Sequence, residues 1–570
     1  MKIDWEALLD YDDITSVTLF VEKNDVKIRD IYMKGINSIE SIKVSGVNIY
    51  DLFNWDDGFN FLKMSILFEK SYFKTPKIND LIKLVGVKIL IEENNIRNIF
   101  LINAPPHVSN ELNKYCKKNK IFFENSNKSK INLSKIFFKF TPIYFISIAW
   151  FLKYCFVNWS HKKFDWQTDE NSIFAMGYYT HINKFDLHKR KFNSGMWGSF
   201  LDYFPNSKFN FLHHFTPNST TKNIDQGIDQ LSYINSKDNI HNFINSFVTL
   251  KSIIEVLIIY TLKYIKSFFF LNQFLKNINN IFGFDIFNFI GKDVRYSLNG
   301  INLIHNIYWC VHFNHIFLNL RHQKAGFFLM ENQGWEFAFV DAWKKYNHGK
   351  LFALQQSTLS FWDLRYLYQY DNRKYSPDFY LVNSFYNNKF FKDNNYPENK
   401  VYLIETLRYY YLKDLKTNNN SKSVLILGGI VYDATNLMVN SVAKIIDNHT
   451  DLSFYFKPHP AVDFDPNYNR FEIVHDDMSL LLQKHSIIIC PSSSGVALEA
   501  FSLGLQVIVF LNPGQLNTSP IRGYDSVCFA SNSSQISNAL RKKKSIIQNH
   551  PPLEFKTQNS KFKDLLKIII

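Results

Sequence analysis

The sequence predicts an α/β protein in which two Rossmann-like units face a common cleft. In residues 452–520 the apolar runs FYF, IIIC and VIVF each stop at a polar or glycine-containing turn, and the second turn opens into a helix that starts with serines. In residues 326–366 the runs FFLM, EFAFVDAWKKY and KLFALQQ read as strand, helix and strand. Such β-α-β alternation builds a parallel sheet, which binds ligands at the carboxyl ends of its strands.

The length of the chain and two polar tracts predict its division into domains. A chain of 570 residues exceeds what a single core serves, so two or three domains are expected. The tracts SNKSKINLSK (126–135) and KTNNNSKS (416–423) are typical of linkers. We therefore expect an additional N-terminal α/β region at 1–130, a Rossmann-like domain with helical insertions at 131–415, and a second Rossmann-like domain at 416–570.

Apolar periodicity predicts the elements of the first two regions. In the N-terminal region we expect strands at 16–21, 98–103 and 121–125, a helix at 75–95, and a helix capped by Ser109 that runs to Cys116. In the next region we expect strands at 172–179 and 209–215, a helix at 196–204, and mostly helical structure over 222–322. Further strands are predicted at 377–384, 400–409 and 424–430.

Charge and cysteine usage indicate the partners and the compartment. The net charge of +14 favours an anionic partner such as nucleic acid, anionic lipid or a phosphorylated substrate. Without a zinc-ligand set or a recognition-helix pattern, we expect no nucleic acid. Five scattered cysteines with no CxxC pair fit a reducing compartment, and the acidic N-terminus lacks the apolar core of a signal peptide. A cytoplasmic protein is expected.

Two apolar stretches raise the question of membrane contact. Residues 140–152 are uncharged but only 13 residues long, and residues 253–271 are interrupted by Glu255, Lys263 and Lys266. Since about 20 apolar residues are needed to cross a bilayer, neither stretch predicts a spanning helix. Both fit helices that lie on the anionic cytoplasmic face of the inner membrane, and both fit ordinary buried helices.

The segment KPHP and the serine run CPSSSG are the strongest candidates for ligand binding. In KPHP, two prolines restrict the backbone on either side of His459, so that Lys457, His459 and Pro460 form a rigid strand-end turn. Ser492, Ser493 and Ser494 lie where a strand meets a helix, and their hydroxyl groups can cap the helix or bind an anion. One serine suffices for a cap, which favours a ligand.

The order of these motifs resembles the C-terminal half of GT-B glycosyltransferases that use CMP-activated sugars. That group includes bacterial sialyltransferases, polysialyltransferases and capsular Kdo transferases with their HP and SS motifs. The resemblance implies that His459, Ser493 and Ser494 contact the cytidine monophosphate, with Ser492 as an alternate. It also implies that 131–415 holds the acceptor, that 416–570 binds the nucleotide sugar, and that catalysis needs no metal.

A second resemblance covers most of the chain. The segments ENQGWE, FWDLRY, ETLRY, KPHPA and LNTSP together resemble a family of bacterial surface-carbohydrate biosynthesis proteins. The implied function is a glycosyltransferase of lipopolysaccharide or capsule synthesis, which moves a Kdo- or sialic-acid-like sugar from CMP to a glycan or lipid-linked glycan acceptor.

Transfer to a sugar hydroxyl with inversion needs a group that accepts the hydroxyl proton. Glu331 follows a predicted strand in the acceptor-side domain and is the first candidate. Glu336 begins the next helix, where it can act as base or cap. Asp363 of WDLRY is the third catalytic candidate, and Asp363 and Arg365 can also orient the acceptor or form a structural ion pair.

Five more residues are expected to position ligands. Gln356 lies where related transferases carry a Gln-His pair, but serine follows it here. Arg408 can clamp a phosphate or carboxylate through its planar guanidinium group. Glu499 can reach a ribose hydroxyl or remain solvated. Asn517 and Ser519 are predicted to face the cleft from the loop LNTSP.

Several other readings are excluded or kept open. DFD (463–465) follows a turn and is read as solvated loop, and the histidine pairs lack a third ligand, so no metal or other cofactor is expected. No GxxxxGK[ST] or GxSxG pattern occurs, which argues against a P-loop kinase and an α/β-hydrolase. The alternatives are a UDP-sugar or CDP-glycerol donor, a sugar-nucleotide epimerase, and a non-catalytic glycan-binding scaffold.

Overall fold

Three parallel sheets organise the protein. The computed structural model describes residues 1–55, 60–75, 77–126, 142–160, 162–218, 220–278, 281–367, 375–418, 421–459, 462, 470–542, 552–555 and 561–569. Pro460, the DFD tract and most of the predicted 126–135 linker lie outside these residues.

The N-terminal region contains a four-stranded parallel sheet in the order β2-β1-β5-β6. Its elements are β1 (Lys2–Asp4), β2 (Ile14–Ser16), α1 (Val17–Lys23), α2 (Asp25–Ser38), β3 (Lys43–Val44), β4 (Val47–Asn48), α3 (Ile49–Leu52), α4 (Ile66–Glu69), α5 (Ile78–Glu93), β5 (Asn98–Ile102), α6 (Pro106–Lys118) and β6 (Phe122–Asn125). The predicted helix at 75–95 and the predicted strands at 98–103 and 121–125 are confirmed as α5, β5 and β6.

Two predictions in this region are wrong. Residues 17–23 form helix α1 rather than the strand predicted over 16–21, because Ser16 caps the helix by accepting the Leu19 N–H at 3.0 Å. Ser109 is no cap, since α6 already begins at Pro106. Proline is well suited to a first helical turn because it lacks the N–H that would go unpaired there.

The middle region contains a seven-stranded parallel sheet in the order β13-β12-β11-β10-β7-β8-β9. Its elements are α7 (Ile143–Val157), β7 (Ile173–Tyr178), α8 (Lys184–His188), β8 (Phe209–His214), α9 (Ile224–Ile234), β9 (Asn239–Phe243), α10 (Leu250–Ile278), α11 (Phe287–Asn299), α12 (Ile301–Asn319), β10 (Ala325–Leu329), α13 (Gly334–Lys345), β11 (Lys350–Gln355), β12 (Phe379–Val382), α14 (Phe385–Asp393) and β13 (Val401–Leu403). The first strand lies inside the sheet and the order reverses beside it, as in a Rossmann fold.

Most predicted strands of this region are confirmed, but two details differ. The expected helix at 196–204 is only a short 3-10 turn at Phe200–Tyr203. Strand β9 lies inside the stretch predicted to be mostly helical. Its sequence, NIHNF, alternates weakly and follows α9 after a short turn, so its pairing with β8 is set by the sheet rather than by local preference.

The C-terminal region contains a six-stranded parallel sheet in the order β16-β15-β14-β17-β18-β19, the strand order of a Rossmann fold. Its elements are β14 (Ser423–Leu427), α15 (Tyr432–Ala443), β15 (Ser453–Lys457), β16 (Glu472–Ile473), α16 (Met478–Lys484), β17 (Ile487–Pro491), α17 (Val496–Ser502), β18 (Gln506–Phe510), β19 (Cys528–Ala530), α18 (Ser533–Arg541) and α19 (Lys561–Ile569). The protein therefore has two Rossmann-like units, the GT-B-like arrangement.

Helix α19 returns to the middle unit. Phe562 is fully buried, and its ring lies 5.0 Å from that of Tyr203 and 6.1 Å from that of Phe204. Glu405, which follows β13, accepts the N–H groups of Lys561 and Phe562 at 2.8 and 3.1 Å. The end of the chain thus completes the core of the middle sheet, although it follows the C-terminal sheet in sequence.

Candidate functional site

A cavity of about 320 Å³ lies where the three regions meet. Its walls come from the carboxyl ends of strands in both Rossmann-like units and from the N-terminal region, and its lining residues are Glu69, Ser71, Tyr72, Phe73, Lys74, Glu331, Gln333, Ser357, Thr358, Ser360, Asp363, Arg365, Ser493, Thr518 and Pro520. The volume falls at the lower end of the range of small-molecule sites. The cavity is therefore the candidate functional site.

Glu331 supplies a carboxylate to this cavity. It lies two residues after β10, and its Oε2 accepts a hydrogen bond from the Gln333 side chain at 2.7 Å. Arg365 Nη1 is 3.8 Å from the same oxygen. The side chain of Glu331 remains partly exposed, so one face of the carboxylate is open to a ligand.

Glu336 holds the turn that presents Glu331. It is buried and accepts the backbone N–H groups of Glu331, Asn332 and Gln333 at 2.9, 3.0 and 3.1 Å. With Gln333 it forms a capping box at the start of α13. Burial raises the pKa of Glu336 to about 8, while the three N–H donors act in the opposite direction. Glu336 does not line the cavity, so the structure gives it the capping role.

Asp363 and Arg365 form an ion pair in the cavity wall. Arg365 Nε and Nη2 donate to the two carboxylate oxygens of Asp363 at 2.8 and 2.7 Å. This two-point pairing uses both Asp363 oxygens and leaves Arg365 close to Glu331 as well. The pair therefore fixes the geometry around Glu331, and Asp363 is poorly placed to act as the base itself.

The serine run contributes Ser493 to the cavity. Ser492 is buried, and its hydroxyl lies 3.3 Å from the Thr518 hydroxyl. Ser493 is exposed, and Ser494 is half-buried and donates its N–H to Pro491 O at 3.0 Å. The N-cap residue of the seven-residue helix α17 is Gly495, which has no side chain with which to cap the helix. The hydroxyl of Ser493 thus has no helix-capping role.

The loop after β18 closes the cavity with different residues from those predicted. Thr518 and Pro520 line the cavity, whereas Asn517 and Ser519 point into the loop. Asn517 Oδ1 accepts the Ser519 N–H at 3.1 Å, and Ser519 Oγ accepts the Ile521 N–H at 3.3 Å. The loop LNTSP therefore borders the cavity through Thr518 and Pro520, and a ligand contact of Asn517 or Ser519 stays a prediction.

Gln356 and Arg408 lie together behind the cavity. Gln356 is buried, and its Oε1 accepts the N–H groups of Leu407 and Arg408, both at 3.2 Å. Gln356 thus positions the loop that carries Arg408.

Glu499 accepts a hydrogen bond from the Tyr411 hydroxyl, and burial raises the pKa of the Glu499 carboxyl. The side chains of Gln356, Arg408 and Glu499 do not line the cavity.

Lys457 and His459 of the KPHP segment lie at the same edge of the C-terminal sheet as the serine run. A Cβ atom on Gly428, at the end of β14, would lie 2.9 Å from the His459 backbone nitrogen, so only glycine allows this close approach. Lys457 Nζ donates to Asp476 O at 2.8 Å. Burial lowers the pKa of both Lys457 and His459. Neither side chain lines the cavity.

The N-terminal wall of the cavity was not predicted. Lys74 Nζ pairs with Glu69 at 2.7 Å and reaches Gln333 Oε1 at 3.5 Å. Tyr72 follows in the same wall, and burial raises the pKa of its hydroxyl. The polar run SYFKT after α4 is the only local signal, and nothing in it indicates that it meets residues more than 250 positions away.

A junction centred on Glu22 fixes this wall in place. Glu22 Oε1 accepts Trp362 Nε1 at 3.0 Å and the Asn517 N–H at 2.7 Å, and Oε2 pairs with Arg522 at 2.8 Å. The Arg522 guanidinium also lies 4.3 Å from the centre of the Phe361 ring. The N-terminal region thereby binds both sides of the cleft.

Comparisons with known proteins give similarity in structure alone. No protein-family model and no curated protein matches the sequence. The UDP-GlcNAc 2-epimerase of Methanocaldococcus jannaschii is 10% identical with a TM-score of 0.39, over 70% of this chain and 99% of that chain. The Neisseria meningitidis UDP-GlcNAc 2-epimerase bound to UDP-GlcNAc is 13% identical with a TM-score of 0.33, over 60% and 82%. Anabaena HepE, in complex with UDP and glucose, is 10% identical with a TM-score of 0.33, over 65% and 89%.

Proposed function

We propose that this protein is a glycosyltransferase that moves a sugar from a nucleotide donor to a glycan hydroxyl in the cavity between its two Rossmann-like units. One observation carries the proposal: the cavity brings the carboxylate of Glu331 from the middle sheet together with the hydroxyl of Ser493 from the C-terminal sheet. A proton acceptor then faces the side of the cleft on which the motif resemblance places the nucleotide.

In the proposed reaction Glu331 accepts the proton of the acceptor hydroxyl. The hydroxyl oxygen forms a bond to the anomeric carbon, the bond from that carbon to the donor phosphate breaks, and the nucleotide leaves with the electron pair. The Asp363–Arg365 pair and Gln333 hold Glu331 in place. Hydroxyl groups of Ser493 and Thr518 are available to the departing phosphate.

The proposed transferase can use one of two classes of nucleotide-sugar donor. The KPHP and serine motifs favour a CMP-linked Kdo- or sialic-acid-like sugar, through their resemblance to CMP-sugar enzymes. A UDP-sugar fits the same fold, and the similar solved structures are named as complexes with UDP-GlcNAc in one case and with UDP and glucose in another. The acceptor proposed for either donor is a glycan of the bacterial lipopolysaccharide or capsule.

A nucleotide series separates the donors. The thermal midpoint of the purified protein is measured with CMP, CDP, UMP and UDP, because a ligand that binds only the folded protein raises this midpoint. A rise with CMP alone supports the ulosonate donor, and a rise with UDP alone supports a UDP-sugar. No rise with any of the four would contradict the nucleotide site.

The role of Glu331 is tested by Glu331→Gln, which keeps the shape of the side chain. Loss of a general base lowers turnover by about 10²–10⁴-fold, and we expect a loss in this range with an unchanged nucleotide-induced thermal shift. Glu398→Gln makes the same change on the surface of the middle unit and should transfer sugar at the parent rate. Full turnover by Glu331→Gln, or release of a free altered sugar without acceptor, sinks the proposal.

A further inference from the structure

Helix α10 presents a continuous apolar stripe to the surface. The helix is 29 residues long, and its side chains at every third or fourth position are exposed. The exposed apolar residues are Leu250, Ile254, Ile258, Leu262, Ile265, Phe268 and Phe269. The side chain of Phe269 is 74% exposed. Isolated exposed apolar side chains are ordinary, but a row that runs from Leu250 to Phe269, about five turns of helix, indicates an interaction surface.

Helix α7 carries a matching stripe beside it. Phe145, Leu152 and Phe156 share one face of α7 at helical spacing and are exposed, with Phe156 at 81%. The two helices touch where the Tyr144 hydroxyl lies 2.8 Å from the Thr261 hydroxyl. Their other faces pack on α12, most of whose apolar side chains are buried, with Leu318 exposed near the end of that helix. We call the exposed faces of α7 and α10 the outer apolar surface.

Lysines surround this surface. Lys251, Lys266 and Lys276 on α10 and Lys153 on α7 are exposed. The one acidic residue of α10, Glu255, is 3.0 Å from His315 and is thus turned toward α12. An apolar stripe with a cationic border is the pattern by which helices lie in the interface of an anionic bilayer.

The same helices do not cross the bilayer. Over the described residues, no helix is both long and apolar enough to span a membrane. In α10 the charged side chains of Glu255, Lys263 and Lys266 interrupt the apolar sequence, and Lys263 donates to Asn54 O within the protein. Helix α10 can therefore contact a bilayer only along its exposed side.

We propose that the outer apolar surface docks the protein on an anionic phospholipid bilayer. A second copy of the chain fits less well, because a two-fold contact through this surface would bring the lysine borders of both copies together. On a bilayer the same lysines face phosphate headgroups. Helix α12 separates this surface from α13, so the bilayer lies about two helix diameters, or roughly 20 Å, from the turn that carries Glu331.

The docking is tested by co-sedimentation of the full chain with large vesicles. We expect binding to vesicles that contain phosphatidylglycerol and much weaker binding to pure phosphatidylcholine, with the difference reduced at high salt. Leu262→Glu with Phe269→Glu should lower the partition coefficient at least tenfold. Replacing Lys251, Lys266 and Lys276 by Gln should lower binding to the anionic vesicles and leave the weak binding to neutral vesicles unchanged.

Matched controls separate docking from general effects of charge. Phe122→Glu with Leu480→Glu places the same charges at exposed apolar positions elsewhere and should bind like the parent. Lys118, Lys237 and Lys350 are exposed lysines away from the surface, and their replacement by Gln should have little effect. Equal loss in control and test variants overturns the proposal. So does a parent dimer in analytical ultracentrifugation that the Leu262→Glu, Phe269→Glu variant converts to monomer. These outcomes are independent of sugar transfer.

Discussion

Glu336 lies outside the cavity, yet its two carboxylate oxygens hold the backbone of residues 331–333, from which the Glu331 side chain extends. The sequence allowed both a catalytic and a capping role for this residue, since a glutamate at the start of a helix suits either. The three backbone N–H groups that donate to its carboxylate show that Glu336 caps the helix. This role depends on how the turn at 331–333 folds back over the helix start, which the sequence pattern does not contain.

Glu336→Ala should lower stability. Three partly buried N–H groups would lose their acceptor, so we expect the free energy of unfolding to fall by about 1–3 kcal/mol. Turnover should fall as well, because the turn that carries Glu331 loosens. Urea unfolding measures the change in the free energy of unfolding. Glu398→Ala, at an exposed position, should change stability by less than about 0.5 kcal/mol, and an equal loss in both variants would refute the capping role.

At the scale of elements, most strands of the two Rossmann-like sheets were predictable because they are short apolar runs that end in polar turns, whereas β9 lies in a stretch predicted to be mostly helical. The strands β1, β2, β16 and β19 were missed, since each has at most three residues and little apolar pattern. Helix α1 was misread because its β-branched residues favour strands, and the cap at Ser16 outweighs them. The cavity wall at Glu69–Lys74 was beyond prediction because tertiary contacts alone bring it to the cleft.

Helix α19 offers a test at this scale. Phe562→Ala removes a fully buried ring from the aromatic cluster of the middle sheet, and we expect a loss of about 3–5 kcal/mol in unfolding free energy. Limited proteolysis should then cut within α19 first. Phe122→Ala, at an exposed ring, is the control and should remain resistant. A variant as stable as the parent would show that α19 is dispensable.

At the scale of the molecule, buried histidines predict acid sensitivity. Burial lowers the pKa of His213 to about 3 and of His312 to about 4, and it lowers the pKa of His241 well below its usual value. Unfolded, each titrates near pH 6.5. The stability that their neutral forms contribute is therefore present above pH 6.5 and is lost as the pH falls below it.

Urea unfolding at pH 7.5, 6.0 and 5.0 checks this expectation. Below pH 6.5, each such histidine makes the free energy of unfolding fall by up to about 1.4 kcal/mol for each pH unit. His312→Asn should reduce the slope by about that amount. His188→Asn, at an exposed position, should leave the slope of the parent. A parent whose stability is constant from pH 7.5 to 5.0 contradicts the prediction.

The contacts that meet at Glu22 also limit the rotation of the two Rossmann-like units relative to each other. A two-lobed protein that closes on its ligand spends part of the binding free energy on restricting the hinge motion. Here Trp362 on one side and Asn517 and Arg522 on the other are joined through one carboxylate, so much of that restriction exists before a ligand arrives. The expected result is a ligand that enters a nearly finished site, with little domain rotation between the free and the bound protein.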